Sequence, residues 1–485
     1  MKKPPVIVWF RDDLRLDDHP ALTAAVETGA PVLGVYILDD ETPGEWRLGG
    51  AARWWLHLSL EKLETEFDKA GGVLVLKSGI AEEVIVDLAK TVDAQAVYWT
   101  RRYAPFEREQ DAAAKSALAD ADIEAKSFPG KLLYEPWEIL TKDEKPYRVF
   151  TPFWRALSGR GAPPAPLERL TAIVTPTRET LEKAQTEQLD DWELLPTKPD
   201  WAGGLRETWT PGELSALQRL GRFLAGGASD YAEARDIPSE DGTSRLSPHL
   251  RFGEISPRRI WVRTMEAVEA GDLKESQAEK FLQEVVWREF SWGLVYHNDD
   301  FLTEELQPKF RKFPWREDDE TRKAWERGET GYPIVDAGMR QLYETGWMHN
   351  RVRMIVGSLL VKHLLLSWRD GQRWFWDTLV DADLGNNTAG WQWIGGCGAD
   401  AAPYFRIFNP MTQGAKFDPE GAYVRRFVPE LADLPAKHIH EPWSAPAGVL
   451  EAAGVKLGET YPRPIVEHKT GRERALQAFE TVKGD

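Results

Sequence analysis

The sequence predicts an α/β domain followed by a larger all-helical domain, with a long connector between them. Three observations predict it. Apolar, β-branched runs alternate with helical patterns over the first 130 residues. A stretch punctuated by Pro and Gly then fills residues 131–210. Beyond it strand signals fade and the apolar spacing settles to the helical period. A chain of 485 residues is also too long for one ordinary core and suggests two or three domains.

The first domain is expected over residues 1–130. Its strands are Val6–Phe10, Pro31–Leu38, Val73–Leu76 and Ala96–Trp99, with a weaker one near Ile123. Helical patterns lie between them, over Ala21–Thr28, Ala51–Ala70, Ala81–Val92 and Phe106–Ala119. This alternation reads as a doubly wound, Rossmann-like parallel sheet. Yet "WFRDDLRLDDHPAL" follows the first strand where a glycine fingerprint would stand, so no dinucleotide is expected on that turn. The connector, residues 131–210, includes "SGRGAPPAPLERL". The helical domain, residues 211–485, carries helical periodicity over Glu213–Leu224, Pro257–Ala270, Glu275–His297, Ile334–Glu344, Asn350–Ser367 and Arg472–Val482.

Composition narrows the function classes. A formal net charge of −17 argues against loose electrostatic binding to nucleic acid. Between Arg340 and Arg426, however, ten Lys/Arg stand against eight Asp/Glu, so a nucleic-acid site is expected as a confined patch. No window approaches a membrane span, and "MKKPPVIVWF" lacks a signal-peptide layout. The lone Cys397 excludes an internal disulfide framework, and a cytoplasmic monomer is expected. The strongest signal is the 22 tryptophans. Core packing accounts for many, but indole rings also stack on ligands and carry electrons.

Four stretches of the helical region carry chemistry. In "DGTSRLSPHLRFGEISPRRI", from Asp241, the hydroxyls of Thr243, Ser244 and Ser247 surround Arg245. That suits a pyrophosphate, and equally a capped helix start. Within Glu275–His297, Phe281, Glu284, Trp287, Arg288 and Ser291 recur on one face. A carboxylate beside an indole suits a cavity wall for a planar base; the alternative is a surface helix braced by Glu284 and Arg288. Asn350, Arg353, Met354 and Gly357 align on another face, where Asn350 either pairs with a base or caps its helix. The last stretch, "DADLGNNTAGWQWIGGCGADAAPYFRIFNP", opens at Asp381. Asp381 and Asp383 lack a third metal ligand nearby, so hydrogen bonding to a heterocycle and a ribose fits better, with Arg353 a partner for Asp381. Cys397 has no activating base nearby and reads as a packed small residue.

Combined, "DGTSRLSPHL", "EVVWREFSW", "GYPIVDAGMRQLYETGWMHNRVRMIVGSLLVKHLL" and the stretch from Asp381 resemble the photolyase/cryptochrome family. "VIVWFRDDLRLDDHPAL" resembles that family's N-terminal start, and the resemblance runs from Val6 to about Val482. It is nearest to bacterial cyclobutane pyrimidine dimer photolyases, class III among them. The resemblance implies an N-terminal antenna domain and a helical FAD-binding domain that splits pyrimidine dimers in DNA by light-driven electron transfer. The alternative it leaves is a blue-light receptor of cryptochrome type without repair.

The same resemblance assigns residues. Tyr231 and the loop Thr243, Ser244, Arg245, Leu246 and Ser247 would hold the FAD phosphates, and Phe281 would touch the cofactor. Asp381 and Asp383 would bind the flavin and ribose edges, Arg353 would pair with Asp381, and Asn387 would face flavin N5. Trp391, Trp368 and Trp315 match the family's electron-transfer chain. Glu284 and Asn350 would hydrogen-bond the dimer, in a pocket with Trp287, Met354 and Trp393. Arg235, Arg288, Ser291 and Arg351 would contact DNA. The implied antenna is 5,10-methenyltetrahydrofolate held by Glu107, with 8-hydroxy-deazaflavin the alternative; Phe106 departs from the folate-binding pattern.

Overall fold

The computed structural model describes residues 3–400 and 405–483, and its one sheet has five parallel strands. They are β1 (Val6–Phe10), β2 (Val32–Leu38), β3 (Val73–Ser78), β4 (Ala96–Thr100) and β5 (Glu124–Phe128), in the order β3-β2-β1-β4-β5. Val6 pairs with Val32 on one side and with Ala96 on the other. Every residue of β1, β2 and β4 is buried, so these strands read as unbroken apolar runs. β5 is an edge strand with polar, partly exposed residues, and its sequence signal is weak for that reason. Helices α1 (Pro20–Glu27), α2 (Gly50–Lys69), α3 (Ala81–Thr91) and α4 (Pro105–Ala119) connect the strands. Ile7, Trp9, Leu33, Val97 and Trp99 form one core with Ile85 and Leu88 of α3 and Leu118 of α4.

The turn after β1 explains the absent glycine fingerprint. Asp13 accepts from the Arg11 amide at 2.7 Å and lies 3.0 Å from His19, which caps α1 by accepting from the Leu22 amide at 3.1 Å. Buried Arg15 donates to the carbonyls of Asp17, Asp18, Gly130 and Gly253. Asp17 and Asp18 receive two-pronged bonds from Arg259 and Arg258, at 2.6–3.0 Å. Protein ion pairs occupy the turn that a Rossmann domain gives to a pyrophosphate.

Packing divides the chain differently from the sequence boundaries at 130 and 210. One compact unit comprises Met1–Ala202, Trp209–Ser229 and Ser244–Asp299; the other comprises Gly203–Thr208, Asp230–Thr243 and Asp300–Asp485. The first unit takes in most of the connector, which contains helix α5 (Phe150–Ser158). It also takes in α6 (Pro257–Glu269) and α7 (Glu275–His297). The connector is tied down: Arg288 of α7 donates to the Lys131 carbonyl at 2.7 Å, and Glu289 accepts from the Leu133 amide at 2.8 Å. The second unit holds α8 (Pro333–Thr345), α9 (Asn350–Ser358), α10 (Trp368–Thr378), α11 (Leu384–Gly395) and α12 (His468–Lys483). The single helix expected over Asn350–Ser367 ends at Ser358. A wide turn over Leu359–His363 follows, then Leu365 with φ 55°. A left-handed leucine cannot continue a right-handed helix.

Candidate functional site

In the first unit the candidate residues lie mainly on α7. Phe281 is buried against Phe223, ring centres 4.7 Å apart. Glu284 keeps 27% of its side chain exposed and has Lys280 at 3.8 Å. The bracing pair with Arg288 is not made, because Arg288 turns inward to the Lys131 carbonyl and lies 3.8 Å from Glu289. This corrects two expected DNA contacts. Arg288 is buried, and buried Ser291 donates to the Trp287 carbonyl at 2.9 Å, so neither presents a group to a phosphate. Trp287 is half-buried, and one face of its indole stacks on Phe150, centres 3.8 Å apart and planes 7° apart. The loop residues Ser244, Arg245, Leu246 and Ser247 also belong to this unit; Arg245 has φ 49°, Leu246 is buried, and Ser247 starts a one-turn helix.

Glu107, the expected antenna ligand, lies in the first turn of α4. It is buried, and one oxygen accepts from the amides of Tyr103 and Ala104 at 3.1 and 3.0 Å, so it caps its own helix α4. Arg102 sits 3.6 Å from the other oxygen. Sequence reasoning did not single out Glu289. Burial pushes its carboxyl up to about 8, one oxygen has no hydrogen-bond partner, and it lines a small cleft with Tyr134, Phe153, Phe290 and His297. Only the fold reveals it, since Tyr134 and Phe153 come from the former connector.

In the second unit α9 begins at Asn350, but His349 is the cap: its Nδ1 accepts from the Arg351 amide at 3.2 Å. Asn350 is exposed, which separates it from the capping alternative. Burial holds His349 down at about 4, and its Nε2 has no hydrogen-bond partner. Arg353 donates to both Asp381 oxygens at 3.1 and 2.8 Å and to the Met348 carbonyl at 2.7 Å. Arg351 pairs with Asp236 at 2.7 Å and touches the Met354 sulfur at 3.7 Å. Asp383 caps α11, accepting from the Asn386 amide at 2.8 Å. Asn387 donates to the Gln372 carbonyl at 2.9 Å, which orients its amide oxygen the other way. Tyr231 is buried beneath Arg235, 5.5 Å from ring centre to guanidinium carbon, and Thr243 is half-buried.

Trp391 and Trp368 of this unit are buried. Trp391 is 2% exposed and meets Phe375 and Trp325 edge-on, at 4.9 and 6.1 Å. Its ring lies on α10 at Gly371, where a Cβ would stand 2.1 Å from the indole Cη2. Trp368, one turn earlier on α10, is fully buried and donates its indole N–H to Glu305 at 3.0 Å. Burial alone would raise Glu305, but the bonds from Arg369 and Trp368 outweigh it and hold the carboxyl below its usual range. Trp315 is half-buried against Phe313. Trp393 donates to the Asp400 carbonyl at 3.1 Å. Cys397 is buried and pushed up to about 12, so it is no nucleophile.

This donor set suits a flavin dinucleotide: an Arg-backed carboxylate, an oriented amide, and a buried imidazole nitrogen still lacking a partner. The comparisons agree. Residues 281–481 match the model described as the FAD binding domain of DNA photolyase, and residues 6–170 match that of DNA photolyase. A deoxyribodipyrimidine photo-lyase of Agrobacterium fabrum is 51% identical, covering 100% of this chain and 99% of its own. Cryptochrome-2 of Arabidopsis thaliana is 40% identical over 98% of this chain and 79% of its own. The crystal structure of a bacterial class III photolyase from Agrobacterium tumefaciens superposes with a TM-score of 0.95 at 51% identity, covering 100% of this chain and 99% of that one. With buried, edge-packed tryptophans, a flavin-type donor set and full-length similarity on both halves, the chain belongs to the photolyase/cryptochrome family.

Proposed function

We propose that the protein is a deoxyribodipyrimidine photo-lyase that repairs cyclobutane pyrimidine dimers in DNA under blue light. The observation that carries this reading is the full-length similarity to deoxyribodipyrimidine photo-lyases, 51% identical in the Agrobacterium fabrum protein. Arg288 turns away from Glu284, and His349 rather than Asn350 makes the cap of α9. Glu284 and Asn350 would hydrogen-bond the edges of an extruded dimer. Glu284 would also stabilise negative charge that develops there. Trp287 and Trp393 would stack on the lesion, and Met354 would contact it. Extrusion is cheap for a lesion that already pairs poorly.

When bound, fully reduced FAD supplies the photoexcited electron that opens the cyclobutane ring and recovers it afterwards. Asp381, Asp383, Arg353 and Asn387 would hold its flavin and ribose edges. Tyr231, Phe281, Thr243, Ser244, Arg245, Leu246 and Ser247 would hold the rest. Trp391, Trp368 and Trp315 would relay electrons inward from the surface. Arg235 and Arg351 remain as phosphate contacts, as a confined basic patch on an acidic protein requires. A methenyltetrahydrofolate antenna held by Glu107 is part of the reading, with 8-hydroxy-deazaflavin the alternative. The protein would act in the cytoplasm as a monomer; among the described residues no helix is long and apolar enough to cross a membrane.

The test is repair of an oligonucleotide carrying a cyclobutane thymine dimer, with and without blue light. Conversion in light alone, lost in Glu284→Ala, is the expected outcome. A protein that binds flavin and photoreduces it but never converts the dimer would be a receptor instead.

A further inference from the structure

We infer that Phe150 is a positioning residue for lesion recognition: it backs the Trp287 indole and fixes the plate on which an extruded base stacks. The inference rests on the reading of Trp287 as a lesion contact. It concerns a residue in the segment that sequence patterning treats as connector.

The geometry is specific. The Phe150 ring lies parallel to the indole, 7° between planes and 3.8 Å between centres, the spacing of rings in full face contact. Phe290 closes the pair edge-on, 5.7 Å from Trp287 and 6.0 Å from Phe150, and Phe153 packs on Phe290 at 5.4 Å. Phe150 is buried, whereas Trp287 stays half-buried. With one face of the indole covered, the accessible part of the ring lies on its other side and edge. A base stacking there would complete a three-ring column of base, Trp287 and Phe150. The indole would already be held in one rotamer, so less side-chain freedom is lost on binding. Phe150 is the first residue of α5, directly after Arg148 and Val149, which are both exposed. An anchor at the end of an exposed stretch is well placed to hold a neighbouring ring still.

The experiment measures dissociation constants for a dimer-containing oligonucleotide and its undamaged counterpart in Phe150→Leu, Phe150→Tyr and Trp287→Ala. Leucine keeps the apolar volume and removes the ring face; tyrosine keeps both. Phe150→Leu is expected to cut the preference for the damaged strand about three- to tenfold, with undamaged binding unchanged and Phe150→Tyr restoring the preference. A purely structural role would weaken both oligonucleotides together. If Phe150→Leu keeps the full preference while Trp287→Ala loses it, the inference is overturned. If Trp287→Ala keeps it too, the assignment of Trp287 fails first.

Discussion

Trp287 and Trp391 are proposed for two different uses, and their surroundings differ. Trp287 stacks face to face on one partner and keeps part of its ring accessible beside a partly exposed carboxylate. Trp391 meets its neighbours edge-on, is 2% exposed, and lies against a glycine instead of a side chain. A ring that binds a ligand must leave one face for it. A ring that passes electrons gains from dry, close, edge-on packing, because little solvent has to reorganise when its charge changes. Counting tryptophans does not distinguish these surroundings; stacking geometry and exposure do.

The sharpest way to break this comparison is Trp391→Phe. It should abolish light-driven reduction of oxidised flavin, followed by absorbance, while repair by flavin reduced chemically beforehand persists. Normal photoreduction would remove Trp391 from the relay.

The groups beside α9 and on α7 should answer pH in opposite directions. Burial holds His349 and His363 at about 4, below their usual 6.5. As pH falls below about 6.5 the unfolded chain takes up protons that these folded imidazoles refuse, so their contribution to stability is lost between about pH 6.5 and 4. Burial pushes Glu289 up to about 8 from its usual 4.5, so the folded chain keeps a proton there that the unfolded chain sheds. The contribution of Glu289 therefore drains as pH rises from about 4.5 to 8. Each effect is at most a few kcal/mol, on the order of 1.4 kcal/mol per pH unit. Hydrogen exchange of α7 and α9 reads the units separately, after correction for intrinsic rates. Glu289→Gln should flatten the alkaline arm in α7 alone, and parallel profiles in both helices would contradict the assignment.

The smallest expected effect is Gly371→Ala. Its methyl would meet the Trp391 ring, an overpacking cost of about 1–3 kcal/mol in urea unfolding. Adding Trp391→Phe should recover part of that loss; no recovery would mean the strain lies elsewhere.

Much of the fold was legible in the residues. β1 and α7 have the limits their patterns predict, because a run of buried β-branched residues and a long helical repeat each satisfy one period without interruption. The helix over Leu384–Gly395 carried no such pattern. Its residues include three glycines and two asparagines, and Asp383 as cap and tertiary packing hold it instead. Of the site, the Arg353–Asp381 pair was foreseeable from complementary charge. The inward turn of Arg288, the capping role of Glu107 and the buried Glu289 were not.

The order of residues by itself determined the strands, most of the helices and the family motifs, since each depends on neighbours a few positions away. Tertiary structure alone decided that Arg288 turns inward, which indole faces are covered, and that a segment read as connector packs into the first unit. Those outcomes depend on groups more than a hundred residues apart, as with Phe150 and Trp287 or Lys131 and Arg288, which no local pattern brings together.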